Sequence, residues 1–502
     1  MRKKIPELAE KYLKSEGYTS LYPPQKACVQ AGLLDGKSLL VSAPTASGKT
    51  LIAILAIISH ISKRGGKVIY LSPLRALAAE KFAEFKKLEK LDFGRNIRVS
   101  VSTGDFDGRD RNLAKSDILI LTNEKMDSII RHRAEWVDEI GLVIADEVHL
   151  IGDETRGPTL EMVLTQLKTS VNDLQIVGLS ATVTNSDIIS DWLGCKLIKT
   201  DWRPVPLFEG VTDGNHIIMN NNDTFEFKKT KNGTPIDLGV QSVAEGGQSL
   251  IFAETRARSK SLATKAASVV YDLLENKELD KLAKISAKVL RENEQTDMVK
   301  TLATLLKSGV AFHHAGLNQN CRSVVEEEFK KGTIKILSST PTLAAGVNLP
   351  ARRVVISRVT RYDAREGRNM PISVMEYKQL CGRAGRPQFD KYGQAIVVGN
   401  DNAEDVIERY IDGTPEPIIS KITDDRSLRT HILSVIVTHP GIKKDDLLGF
   451  FLQTLGGVQS SKANVKFAIS ISLRFLTSQD MVVAKGDRYA ATEFGQKTSM
   501  LY

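Results

Sequence analysis

Between residues 36 and 200, short apolar and β-branched runs alternate with longer amphipathic stretches: SLLVSA (38–43), KVIYLSP (67–73), IRVSVST (97–103), DILILT (117–122), LVIADE (142–147) and QIVGLSAT (175–182). An apolar run without polar alternation needs cover on both faces, and helices between such runs supply it. The pattern therefore predicts βαβ units around a parallel sheet. The rhythm returns as QSLIFAE (248–254), GVAFHHAG (309–316), IKILSST (334–340), RRVVIS (352–357) and QAIVVGN (394–400). Two similar α/β domains in tandem follow, joined near 201–206. Ligands of such sheets bind beyond the carboxyl ends of the strands, so the small and polar residues closing each run are where chemistry is expected.

The remaining segments break this rhythm. The polar stretch 212–247 reads as a β-rich surface excursion, and 273–307, charged and helical in period, as a solvated insertion. From 424 onward, SLRTHILSVIVTH, DDLLGFFLQT and SKANVKFAISISLRFLTSQ predict three helices, and MVVAKGDRYAAT two short strands about a Gly-Asp turn. That is the outline of a winged helix.

A length of 502 residues accommodates about three domains. With 42% hydrophobic and 26% charged residues, and ordinary Gly and Pro usage, the chain is globular rather than disordered, collagen-like or coiled-coil. The formal charge of +9 suits a polyanionic partner, and the excess lies in residues 1–400, because 401–502 hold 12 Lys/Arg against 13 Asp/Glu. Cys28, Cys195, Cys321 and Cys381 form no CxxC pair, which argues against zinc or iron–sulfur ligation and fits a reducing, cytoplasmic setting. The longest apolar run, 51–61, is too short for a bilayer and reads as a buried helix, and MRKKIPELAE lacks a secretory core.

Ala43-Pro44-Thr45-Ala46-Ser47-Gly48-Lys49-Thr50 joins a strand to a helix, the context a phosphate cradle requires. Loop and helix N–H groups would face the β-phosphate, Lys49 would neutralise phosphate charge, and the Thr50 hydroxyl would ligate Mg²⁺. Ala43 stands where the strict pattern has glycine. Asp146-Glu147-Val148-His149 closes the strand LVIA. Asp146 can hold Mg²⁺ through water while Glu147 orients and deprotonates the attacking water. A lone acidic pair there would read as a strand cap; joined to Lys49 in one domain it reads as NTP hydrolysis. Ser180-Ala181-Thr182 ends another strand, where its hydroxyls can sense the carboxylates. Gln379-Leu380-Cys381-Gly382-Arg383-Ala384-Gly385-Arg386 places two arginines three residues apart, on one helical face, as arginine fingers for the γ-phosphate.

These motifs, with SPLRALAAEK (72–81), TGD (103–105), TNEKMDS (122–128), DEVHLIGDETRGPTLE (146–161), FAETRARS (252–259), HHAGL (313–317), TPTLAAGVNLPA (340–351) and EYKQLCGRAGRP (376–387), resemble superfamily 2 helicases of the Ski-type branch, in the family's order. The Arg361-Tyr362-Asp363 stretch is most similar to the archaeal DNA helicases related to helicase Q and the polymerase-theta helicase domain. The resemblance implies two RecA-like P-loop domains with parallel sheets (1–200 and 201–403), then an α+β winged-helix domain (404–502). It also implies 3′ to 5′ polarity on DNA, ATP and Mg²⁺ as cofactors, and a monomer acting on single-stranded and branched DNA away from membranes.

Residue by residue, the resemblance makes Gln25 in YPPQ the reader of adenine, adds Gly346 and Asn348 to the nucleotide site and Gln379 to the catalytic set, and makes His149, Ser180 and Thr182 coupling residues. Nucleic-acid contacts would come from Arg75, Thr103, Gly104, Asp105, Thr122, Lys125, Arg156 and Gly157 in the first domain. Arg256, His314, Gly316, Thr340 and Thr342 would serve in the second, through hydroxyls, amides and helix N-termini suited to phosphate. The segment 358–371 would be a strand-separating hairpin carrying Arg361, Arg365 and Arg368. The family continues into a helical ratchet domain that this sequence does not contain, which predicts a truncated chain with retained hydrolysis and weakened unwinding. An RNA-unwinding enzyme, a nucleic-acid-binding scaffold and a translocase that remodels complexes without unwinding remain the alternatives.

Overall fold

The computed structural model describes residues 5–104, 113–221, 223–341, 347, 349–363, 366–399 and 403–501. They divide into two compact units, Met1–Trp202 with Pro417–Tyr502, and Arg203–Glu416.

In the first unit every predicted run forms a strand: β1 (Leu39–Ser42), β2 (Lys67–Ser72), β3 (Val99–Ser102), β4 (Ile118–Thr122), β5 (Ile140–Ala145) and β6 (Gln175–Ser180). The partly exposed edge strand β7 (Lys196–Lys199) is additional, and its polar ends hid it from an apolar-run reading. The sheet runs β3-β4-β2-β5-β6-β1-β7 with all pairs parallel. Strands β1, β2, β4 and β6 are buried along their whole length, which is why their sequences carry no alternation. The helix Lys49–Lys63 is buried from Leu51 to Ile61, so its apolar run is core. Among the described residues no helix is long and apolar enough to cross a membrane.

The second unit contains β8 (Leu207–Asp213), β9 (His216–Met219), β10 (Thr224–Glu226), β11 (Ser249–Phe252), β12 (Val310–His313), β13 (Ile336–Ser339), β14 (Arg353–Ile356), β15 (Thr360–Asp363), β16 (Arg368–Pro371) and β17 (Gly393–Val397). Its larger sheet runs β10-β9-β8-β17-β14-β11-β13-β12, parallel except where β9 and β10 fold back along one edge. The β-rich reading of 212–247 holds only for its first half. Thr234–Ala244 is a helix, obscured in sequence because its buried face includes Asp237, Gly239 and Ser242. The expected solvated insertion is two helices, Asn276–Glu292 and Asp297–Leu306; they are charged outside, but Val289, Leu302 and Leu306 join the core. Strands β15 and β16 pair antiparallel, Thr360 opposite Pro371, as the expected hairpin.

The winged-helix outline is present within the first unit. Helices Asp425–Thr438, Lys444–Phe451 and Lys462–Ser478 pack with β18 (Ile442–Lys443), β19 (Val482–Lys485) and β20 (Arg488–Ala491), ordered β18-β20-β19. The Gly486 turn between β19 and β20 uses a left-handed φ of 65°. Met162 of the helix Gly157–Ser170 shares the core of this element, and Trp192 Nε1 donates to Gln453 O at 2.9 Å.

Candidate functional site

In the first sheet Ser42 sits opposite Ser180, Ser72 opposite Thr122, and Leu71 opposite Ala145. All these strands are parallel, so the residues that follow them gather at one edge. The start of the loop 43–48 is bonded to the end of β6: Ala43 N donates to Ser180 O at 3.2 Å, and Ser42 Oγ to Ala181 O at 3.3 Å.

The loop turns through two left-handed residues, Ala46 (φ 66°) and Gly48 (φ 86°), before the helix Lys49–Lys63 begins. Gly48 is required twice over, by its φ and because a Cβ there would collide with the Gln25 amide. Gln25 is buried; its Oε1 accepts from Tyr22 N at 2.8 Å and its Nε2 donates to Gly48 O at 3.2 Å. Lys49 folds over the loop, donating to Ala43 O at 2.8 Å and Pro44 O at 3.4 Å. Ser47 Oγ is buried in this loop without a hydrogen-bond partner in the structure. A triphosphate would satisfy it, so the loop fits the nucleotide that its sequence implies.

Asp146 is buried against Tyr70, whose hydroxyl donates to Oδ2 at 2.5 Å, and its Oδ1 accepts from Glu147 N at 3.0 Å. Burial, then the neighbouring Glu147 charge, raises its pKa. Glu147 takes a left-handed φ of 52°, an uncommon conformation for a residue with a side chain, and is partly exposed. His149 Nδ1 accepts from Ala181 N at 3.2 Å and lies 3.4 Å from Glu147 Oε2. Burial, helped by the Lys49 charge, holds this imidazole down at about 3. It is neutral, with Nδ1 an acceptor, so the approach to Glu147 is not an ion pair. His149 is thus tied to the 180–182 strand end and packs beside Glu147, while Thr182 lies half-buried.

Sequence reasoning missed Lys81. Its ammonium, buried on the helix Arg75–Phe85, donates to Thr50 Oγ1 at 2.7 Å and pairs with Glu84 at 3.2 Å. Burial opposes its charge, but Glu84 and Asp146 outweigh burial and raise its pKa. The hydroxyl of Thr50 and the carboxylate of Asp146 are hard oxygen donors of the kind Mg²⁺ takes, so the pair fits the metal once the Lys81 ammonium gives up Thr50. The signal in sequence was a lysine inside SPLRALAAEK with no assigned partner.

In the second unit the arginine motif departs from expectation. The helix Val374–Cys381, which carries half-buried Gln379, ends before both arginines, so Arg383 and Arg386 do not share a helical face. Gly385, with φ 90°, turns the chain between them. Arg383 is buried. Arg386 is held bidentately by Asp390 at 2.7 and 2.8 Å and donates to Gln248 Oε1 at 2.5 Å.

The expected nucleic-acid contacts divide. Arg75, Gly104, Arg156, Arg256 and Gly316 are exposed at helix starts or in turns, and Thr103 partly so. Thr122 is buried and caps its helix, accepting from Lys125 N at 3.3 Å. Lys125 is only 2% exposed. Gly157 is also buried, and a Cβ there would strike the Ile151 carbonyl, a packing demand rather than a strand contact. His314 is buried and stacks on Phe312 at 5.3 Å, while Thr340, also buried, donates its N–H to His313 O at 3.4 Å. Arg361 and Arg368 stand exposed on the hairpin, with Arg361 3.2 Å from Glu376. Asp105, Thr342, Gly346, Asn348 and Arg365 lie outside the described residues.

Two family models match the chain: DEAD/DEAH box helicase over residues 22–189 and helicase conserved C-terminal domain over 275–388. The ATP-dependent DNA helicase Hel308 of Methanocella arvoryzae is 41% identical over 99% of this chain and 67% of its own length. The chain belongs to the Hel308 family. Hel308 of Pyrococcus horikoshii is 38% identical, covering 99% of this chain and 68% of its own, and that of Pyrobaculum calidifontis 39%, covering 98% and 69%. The sequence thus spans about two thirds of the length of these Hel308 relatives. The first family model covers Gln25 through Thr182, and the second covers the described hairpin and both arginines.

Proposed function

We propose that this chain is an ATP-hydrolysing helicase that moves 3′ to 5′ along single-stranded DNA and opens branched or forked duplexes, in the service of replication-fork repair. The observation that carries this reading is the gathering of Lys49, Thr50, Asp146, Glu147 and His149 at one edge of an all-parallel sheet, beside an open helix N-terminus. Relatives 38–41% identical over nearly all of this chain that bear the name ATP-dependent DNA helicase support it.

In this reading Gln25 binds the base, the loop 43–50 binds phosphate, and Thr50 and Asp146 hold magnesium, which when bound offsets charge on the phosphates. Glu147 takes the proton of the attacking water, and its left-handed backbone aims the carboxylate out of the strand end. His149, bonded to Ala181 N between Ser180 and Thr182, couples that strand end to the hydrolytic site. Arg383 and Arg386 act on hydrolysis from the second RecA-like domain. The division into 1–200, 201–403 and 404–502 belongs to this proposal, as do Arg75, Thr103, Arg156, Arg256 and Gly316 as backbone contacts. A monomer working in the cytoplasm is part of the same reading.

Steady-state ATPase titrated with single-stranded DNA and RNA of matched sequence tests it, alongside strand separation on 3′- and 5′-tailed duplexes. Stimulation by DNA with opening of the 3′-tailed duplex is expected. Preferential stimulation by RNA assigns the chain to RNA unwinding, and ATPase without any strand separation assigns it to translocation alone.

A further inference from the structure

The segment joining the two units begins with two residues anchored in opposite directions along the chain. Trp202 packs on Tyr22, ring centroids 4.7 Å apart and planes tilted by 45°, and Tyr22 N is the donor that holds Gln25 Oε1. The next residue, Arg203, donates through Nη2 to Gly382 O at 3.2 Å and to Ala384 O at 2.9 Å. Between those carbonyls, Arg383 O accepts from Ala351 N at 2.9 Å. Three consecutive carbonyls, 382 to 384, are therefore held by groups outside the turn.

The rest of the segment lines the same turn. Val205 is buried against Gly385, where a Cβ would come within 2.7 Å of Val205 Cγ1, and Pro206 O accepts from Gly393 N at 2.8 Å. Pro204 and Pro206 restrict φ, so the stretch is stiff between its anchors. Holding the peptide planes on both sides of Arg383 fixes its Cα–Cβ direction, which the turn cannot do alone now that the helix has ended at Cys381.

We infer that Arg203 is a positioning residue for Arg383: its guanidinium sets the backbone from which the Arg383 side chain acts on hydrolysis. The inference rests on the proposed role of Arg383. It identifies a function for the RPVP stretch that the sequence marked only as a joint.

The test uses the full chain with Arg203→Ala, Arg203→Lys, Arg383→Ala and the Arg203→Ala/Arg383→Ala double variant. DNA-stimulated kcat and the affinity for a fluorescent ADP are measured for each. Arg383→Ala is expected to lose about 10³-fold in kcat. Arg203→Ala should lose about 10²-fold, the scale of an ångström-sized misplacement, with ADP affinity unchanged. Arg203→Lys, which keeps a cationic N–H donor on a shorter side chain, should recover part of the loss. The double variant should be no slower than Arg383→Ala, because Arg203 acts only through Arg383. Additive losses, or a fall in ADP affinity alongside kcat, would mean a general structural role and overturn the inference. Retained turnover in Arg203→Ala while Arg383→Ala is crippled sinks the inference alone, whereas retained turnover in Arg383→Ala removes the arginine reading and the inference with it.

Discussion

The Lys81 ammonium donates to the Thr50 hydroxyl at 2.7 Å, placing a buried, protonated amine on the side chain that the phosphate-binding loop offers to a metal ion. Glu84 and Asp146 keep that amine charged despite its burial. A fixed cation and an incoming one cannot both be tolerated at close range in a low-dielectric site, so the two compete for Thr50.

Lys81→Gln should therefore lower the Mg²⁺ concentration needed for half-maximal binding of fluorescent ADP by about 5- to 10-fold, or about 1 kcal/mol. It should also lower the thermal midpoint of the nucleotide-free chain, because Glu84 loses its partner. A higher Mg²⁺ requirement would show that Lys81 serves the nucleotide rather than excluding the metal.

Glu147→Gln preserves shape and the left-handed backbone but removes the base. Turnover is expected to fall by about 10²- to 10⁴-fold while nucleotide affinity stays level. Equal loss of binding and turnover would place Glu147 in ligand binding.

Glu161, fully buried on the helix Gly157–Ser170, accepts from Ser420 Oγ at 2.6 Å and from Gly456 N at 2.8 Å, joining the first sheet's layer to the winged helix. Burial pushes its carboxyl up to about 7, although those hydrogen bonds pull the other way. The folded pKa exceeds the unfolded value, so the folded chain binds the proton more tightly. Its contribution is greatest below the unfolded value and is lost as pH rises through about 7. The thermal midpoint should fall between pH 5 and pH 8 by more in the natural chain than in Glu161→Gln, a difference of at most about 3 kcal/mol. Parallel pH profiles for the two would refute the assignment.

On the hairpin, Tyr362 is 65% exposed between Arg361 and the tip, a large aromatic that packing does not explain. A base stacked there would contribute about 1–3 kcal/mol. Tyr362→Ala should slow strand separation about 10-fold or more and leave DNA-stimulated ATPase near its starting rate. Loss of both in proportion would place the tyrosine in DNA binding generally, not at the point of separation.

The two sheets were legible because strands buried on both faces must be apolar throughout, and such runs stand out between helices. The wing was legible through its Gly-Asp turn. The helix Thr234–Ala244 was not, since half of its buried face is polar or lacks a side chain. The shared helical face of Arg383 and Arg386 failed for a related reason: the glycines that marked the motif as unusual also mark where the helix stops.

Sequence by itself determined the chemistry at the strand ends, because the loop 43–50 and the pair Asp146-Glu147 are contiguous residues whose spacing and strand context already state what they can bind. Tertiary structure alone decided who supports them. Lys81 meets Thr50 across 31 residues, Arg203 meets Ala384 across 181, and Glu161 meets Ser420 across 259. A lysine, an arginine or a glutamate in a helix or linker has the same local propensity whether it faces water or a buried partner. Only the fold's choice of neighbours, made by burying apolar surface elsewhere, turns such a charge into a functional one.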